Sequence, residues 1–270
     1  MTGTPLPPPR PAGPVGERIR AWRLHRRRSQ LDLSLDIGIS QKHLSFLESG
    51  RAIPSREMVL RIAAGLDVPL RERNLMLQAA GHAAVFRQRP LDDPALAAAR
   101  AAIDLILRGH EPFPALAVDR HWRLVAANAA LAPLLALVAD RTLLLPPVNV
   151  LRLSLDPGGL APHILNRAEW RSHLLDRLRR QAETTNDPEL ARLHDELAAL
   201  PAGEEGADAG AAHADYGGVL VPLRLRVGPQ VLSFLSTTTV FGTPTDITLS
   251  ELVIEAFLPA DPQTTAALRG

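Results

Sequence analysis

The chain's 270 residues are 46% apolar and 22% charged, a globular composition with room for two small domains or one large one, which excludes collagen-like and wholly disordered architectures. It contains no cysteine, which removes disulfides, thiolate nucleophiles, iron–sulfur clusters and cysteine zinc sites together. The net charge is only +1, yet residues 1–90 hold 15 basic and 7 acidic side chains while the remaining 180 hold 15 and 22; the split suggests a basic segment that meets a polyanion, the alternative being a basic face that is merely solvated.

Residues 1–14 contain six prolines and no apolar run, so a disordered arm is expected there and not a secretory signal. Five short helices are expected over 15–82. The first, about 15–28, places Val15, Ile19 and Trp22 on one stripe. Ser29 caps a second, about 30–37, with Leu33 and Ile37 inward, and Gly38 suits the left-handed position that ends it. Ile39 plugs the core and Ser40 caps a third, 41–49, whose Leu44 and Leu47 face inward. Ser55 caps a helix to about 66, and a fifth runs from about 70 to 80 before Gly81.

Two short helices joined by a glycine-centred turn are the helix-turn-helix arrangement of DNA-binding proteins. The run SQLDLSLDIGISQKHLSFLESGRAIPS, 29–55, closely resembles the helix-turn-helix of the phage-repressor-like (XRE) regulators, a bacterial family with an all-α, five-helix, lambda-repressor-like domain. The resemblance implies roles residue by residue. Gln30 and the amides at the start of the second helix would touch phosphate, as would Arg51. The third helix would enter the major groove of double-stranded DNA, presenting Ser40, Gln41, Lys42, His43 and Ser45; glutamine can pair with adenine and lysine with guanine. Lys42 is the one lysine among 30 basic residues, which invites a functional reading beside that of chance survival. Arg23 and Glu48 match a pair that joins the first and third helices in that family and are expected to be structural. Leu31, Leu35 and Phe46 depart from its pattern, being apolar where polar residues are usual.

Further along, an alanine-rich helix, 94–107, is expected to serve as a connector within a linker of 83–109. Two short strands, 115–119 and 122–127, flank a polar turn, and Asn128 opens an apolar helix toward Leu137. The stretch 129–139 has eleven residues and a proline, short of the roughly 18 a membrane span needs, so a cytoplasmic protein without a membrane partner is expected. Two helices follow between 160 and 200, then a Gly/Ala/acid loop from Pro201 to Asp215. Strands are expected at 219–227, at 231–241 around the Gly228-Pro229 turn, and near 250–258. Together these give an α+β, PAS-like domain with an antiparallel sheet over 110–270.

The phrases PFPALAVDRHWRLVAANAA, PPVNVLRLSLDPGGLAP, AEWRSHLLDRLRRQ and FGTPTDITLSELVIEAFLPAD resemble the ligand-binding domain of MmyB-like transcriptional regulators. That resemblance implies an apolar cavity for a fatty-acid-like molecule. Asn149 and Arg152 stand as candidate polar groups there, the arginine clamping a carboxylate or else pairing with a domain carboxylate, the asparagine orienting the ligand or else capping the turn. Trp122 is a candidate ligand platform or a core residue, as is Trp170. No G-x-S-x-G, phosphate-binding G-x-x-x-x-G-K-[ST] or H-E-x-x-H motif occurs, so no catalytic residue, metal or cofactor is expected. The expectation is a homodimeric, sequence-specific DNA-binding transcription regulator whose second domain senses a small apolar ligand, mediates dimerisation, or both; the alternatives are a ligand-free interaction module in that second domain and a nonspecific nucleoid-type binder.

Overall fold

The structure is a computed structural model that describes residues 14–201 and 220–269. The expected arm, and the loop beyond Pro201, lie outside the described residues. The described residues divide into two compact units, parted between Gln88 and Arg89, with Thr245–Ile247 belonging to the first.

The first unit is all helix: α1 (Pro14–His25), α2 (Gln30–Asp36), α3 (Gln41–Glu48), α4 (Arg56–Gly65) and α5 (Leu70–Ala79). Three serines start three of them. Ser29, Ser40 and Ser55 accept hydrogen bonds from the backbone amides of Asp32, His43 and Met58 at 3.0, 3.1 and 3.2 Å, each a cap worth about 1 kcal/mol. Helix α1 ends at His25, short of the expected 28, because Arg27 turns left-handed at φ 52°. Between α2 and α3, Gly38 at φ 66° makes the turn, and the Ile39 amide closes it on Ser34 O at 2.9 Å. Ile19, Leu33, Leu44, Leu47, Ile62 and Met76 are fully enclosed and form the core. A Cβ at Gly16 would sit 2.6 Å from Leu47 O, so only glycine lets α1 approach the end of α3 this closely.

The second unit is α+β. Helix α6 (Ala97–Gly109) precedes β1 (Ala115–Val118) and β2 (Leu124–Ala127), followed by α7 (Ala132–Leu135), α8 (Val150–Leu155), α9 (Arg167–Thr185) and α10 (Pro188–Ala199). Strands β3 (Leu223–Val227) and β4 (Gln230–Val240), the single turn α11 (Ile247–Ser250), β5 (Val253–Pro259) and α12 (Pro262–Arg269) complete it. The five strands form one sheet in the order β2-β1-β5-β4-β3, every pairing antiparallel.

Strand periodicity sorts the two faces of this sheet. Ala115, Ala117, Ile254 and Ala256 pack against Ile103 and Leu107 of α6. The helix read as a connector is therefore a layer of this unit. Its end is tied down by buried Asn128, whose Nδ2 donates to Leu107 O and Phe113 O at 3.1 and 2.8 Å while its Oδ1 accepts from the Ala115 amide at 3.0 Å. The other face carries Leu116, Val118, Leu225, Leu232 and Phe234 under the helical layer that includes Trp170, Leu174, Leu178 and Leu193.

Three strand starts differ from expectation by two residues or more. The strand read from 122 begins at Leu124, because Trp122 turns left-handed before it. The strand read from 219 begins at Leu223, since Pro222 has no amide to give a ladder. The last strand begins at Val253, because Ile247–Ser250 coil into α11 first. Helix α12 was not anticipated; Asp261 Oδ1 accepts from the Thr264 amide at 2.6 Å to start it, and Thr264 Oγ1 accepts from the Ser233 amide at 2.9 Å to anchor it to β4.

Candidate DNA interface and ligand cavity

In the first unit, α3 exposes Gln41, Lys42 and His43 in its first turn, with Ser40 exposed at its cap and Ser45 half-buried. Arg51, just beyond the helix, is exposed as well. Phe46 sits between the two cations, its ring centroid 5.7 Å from Lys42 Nζ and 5.6 Å from the Arg51 guanidinium. Sequence reasoning marked Phe46 as an oddity; the structure makes it the platform for both.

Below this surface, Arg23 and Glu48 form a buried, two-pronged pair, Nε to Oε1 at 2.6 Å and Nη2 to Oε2 at 2.9 Å. Arg23 Nη1 also donates to Arg28 O at 2.8 Å. The bond to Glu48 raises the arginine's pKa against the opposing effect of burial. Gln30, expected at phosphate, donates from Nε2 to Glu48 Oε2 at 2.7 Å, so one of its N–H groups is engaged inward.

In the second unit, an apolar cavity of about 80 Å³ lies between the sheet and its helical layer. Leu116, Leu131, Leu134, Val150, Leu151, Leu174, Leu225 and Phe257 form most of its wall, with Trp122 and Trp170. Trp122 belongs to the tight β1–β2 turn, where Asp119 Oδ1 accepts from the amides of His121 and Arg123 at 2.8 and 2.9 Å. That clasp holds Trp122 at φ 63°, a left-handed conformation rare for a bulky side chain. The indole Nε1 donates to Gln181 Oε1 at 2.8 Å.

Four polar groups also line this cavity, and none was singled out from sequence: Ser154, Arg177, Ser236 and Glu255. The Arg177 guanidinium lies 4.7 Å from the Trp122 ring centroid and makes a two-pronged pair with Glu255, whose side chain is only 4% exposed. A signal was present for Glu255, the lone acid within the apolar run VIEAFLP. Alternation along β5 puts it on the cavity face, opposite Leu116.

Asn149 and Arg152 lie elsewhere, in a separate polar cleft with His121, Arg123, Glu189 and Glu196. Asn149 caps α8, its Oδ1 accepting from the amides of Leu151 and Arg152, each at 3.1 Å. Arg152 pairs with Glu196 through Nε and Nη2 at 2.6 and 2.7 Å, a bond that lowers the glutamate's pKa. Of the two readings open for these residues, the geometry realises the cap and the domain ion pair. His121, buried nearby, meets Asp187 Oδ2 at 3.0 Å.

Among the described residues no helix is long and apolar enough to cross a membrane, and no group of three or more His, Asp or Glu is placed to hold a metal ion. Comparison with protein families matches residues 19–73 to a helix-turn-helix family and residues 99–270 to the MmyB-like transcription regulator ligand binding domain. No curated protein matches the chain. With the second match covering well over half of the chain, the protein belongs to the MmyB-like transcription regulator family and is a DNA-binding transcription regulator with a ligand-binding domain.

Proposed function

We propose that the protein is a sequence-specific, homodimeric regulator in which α3 reads base edges in the major groove and occupancy of the second unit's cavity alters DNA affinity. One observation carries the DNA half of this reading. The exposed first turn of α3 concentrates Gln41, Lys42 and His43, the donors and acceptors that base-edge readout needs, over a rigid Arg23–Glu48 base. Ser40, Ser45, Gln30 and Arg51 would add contacts, mainly to phosphate. In a homodimer the two recognition helices would stand about one helical turn, ~34 Å, apart.

The ligand half is supported by the cavity and by Trp122 in its wall. If occupancy changes DNA affinity, DNA must change ligand affinity by the same factor. A solvent extract of the purified protein that holds no stoichiometric small molecule would favour an interaction module in place of a sensor.

The test is a titration of the purified full chain against its own upstream intergenic DNA and a scrambled duplex. The expected result is a preference of at least about tenfold, near 1.4 kcal/mol, reduced by Gln41→Ala and Lys42→Ala. Equal affinity for every duplex tried, including a genomic library, would instead support the nonspecific nucleoid-type reading.

A further inference from the structure

The polar end of the cavity has an electrostatic character that constrains its occupant. Among the described residues Arg177 is its only cation and Glu255 its only anion, and they are bound to each other. Both carboxylate oxygens are occupied: Oε2 accepts from Arg177 Nη1 at 3.1 Å, and Oε1 accepts from Nη2 and also from Thr238 Oγ1 at 3.1 Å. Arg177 Nη2 donates in addition to that threonine hydroxyl at 3.0 Å. The wall is therefore neutral in sum, with the positive charge already matched.

A carboxylate entering this space has two options, and both are unfavourable. It can take Arg177 from Glu255, which strands a buried anion. Otherwise it lies beside the intact pair as an uncompensated charge against an apolar wall. Besides the N–H groups of Arg177 that Glu255 and Thr238 do not take up, two neutral groups remain for a ligand. Ser154 Oγ accepts from Trp170 Nε1 at 3.0 Å, which leaves its own hydrogen to donate, and the Ser236 hydroxyl has no hydrogen-bond partner among the described residues. Hydroxyls of this kind pair with a carbonyl, an amide or an alcohol. Size adds a second limit: at ~10–15 Å³ per water-sized occupant, about 80 Å³ takes roughly five to eight non-hydrogen atoms.

We propose that the cavity binds a short aliphatic molecule with one uncharged polar head, such as an alcohol, ketone or primary amide, and that the Arg177–Glu255 pair rejects the corresponding carboxylate. This rests on the reading of the cavity as the ligand site.

Hexanamide and hexanoate match in shape and differ in charge, so they isolate the question. The full chain, labelled with nitrogen-15, is titrated with each while the indole N–H signals are followed. Trp122 and Trp170 line the cavity, whereas Trp22 belongs to the core of the other unit and serves as an internal control. Hexanamide is expected to shift the two cavity signals with an affinity at least about tenfold above that of hexanoate. In Glu255→Gln, Arg177 loses its partner and the order should invert. Hexanoate binding the unmodified protein as tightly as hexanamide, at the same two signals, would overturn the proposal and leave the cavity reading intact. Shifts from neither molecule would overturn both. The comparison on the unmodified chain stands even where Glu255→Gln fails to fold; a folded Glu255→Gln that keeps the original order would overturn the role of the pair.

Discussion

Phe46 shows how a residue that breaks a sequence pattern acquires a reason from its neighbours. An aromatic ring on a surface that should read DNA looks misplaced until Lys42 and Arg51 are seen at 5.7 and 5.6 Å from its centroid. Each such contact is worth about 0.5–1 kcal/mol at an exposed site, and together they restrict two flexible cations before any phosphate arrives. Phe46→Ala should therefore weaken binding to the preferred duplex about two- to fivefold while leaving the melting temperature close to that of the unmodified chain; Phe46→Tyr should retain the affinity. Full affinity in the alanine variant, measured by fluorescence anisotropy, would remove the ring from the interface. The pattern of serines and glycines around α3 was legible because capping and turn chemistry are local. The Phe46 contacts were not, since side-chain direction along a helix decides them.

At the scale of the element, α8 illustrates what a phrase of sequence can and cannot say. Asn149, Val150, Leu151 and Arg152 are adjacent in the chain, yet Val150 and Leu151 line the apolar cavity while Arg152 turns to Glu196 on α10. One turn of helix separates faces that a linear reading groups together. Arg152→Ala, which removes a half-exposed pair, should leave hexanamide binding unchanged. Helix α9 carries a different consequence. His173 stacks on Trp170 with ring centroids 5.5 Å apart, and burial lowers its pKa below the ordinary 6.5, with Arg177 and Arg180 acting in the same direction and Glu255 and Asp176 against it. A histidine held neutral in the fold takes up a proton on unfolding, so the unfolded state binds more protons and stability falls as pH drops below that value. His173→Gln should flatten the loss of thermal stability between about pH 7 and 5. An unchanged slope would place the acid sensitivity elsewhere.

Across the whole molecule, the division of charge noted in the sequence puts the excess of positive charge in the unit proposed to bind DNA. Affinity for DNA should fall linearly with salt on logarithmic axes, with a slope of about −0.9 per phosphate neutralised. Lys42→Ala or Arg51→Ala should reduce its magnitude by about 1 if that side chain meets phosphate, and Arg152→Ala should not change it. The order of the two units and the antiparallel sheet were readable because they follow from periodicity, turn residues and composition. The cavity, which only the family resemblance implied, was not, because its wall is drawn from β1, the β1–β2 turn, β2, α7, α8, α9, β3, β4 and β5, which only long-range pairing brings together. The terminal helix escaped notice for a related reason, its start resting on one aspartate and its anchor on a strand some thirty residues earlier.

Lys42 is the sole lysine in 270 residues and stands exposed in the first turn of α3. An amine-directed acylating reagent thus finds a single lysine side chain, and it finds it on the surface proposed to face the groove. Mass spectrometry of one peptide then reports DNA occupancy as protection from labelling, without any engineered tag.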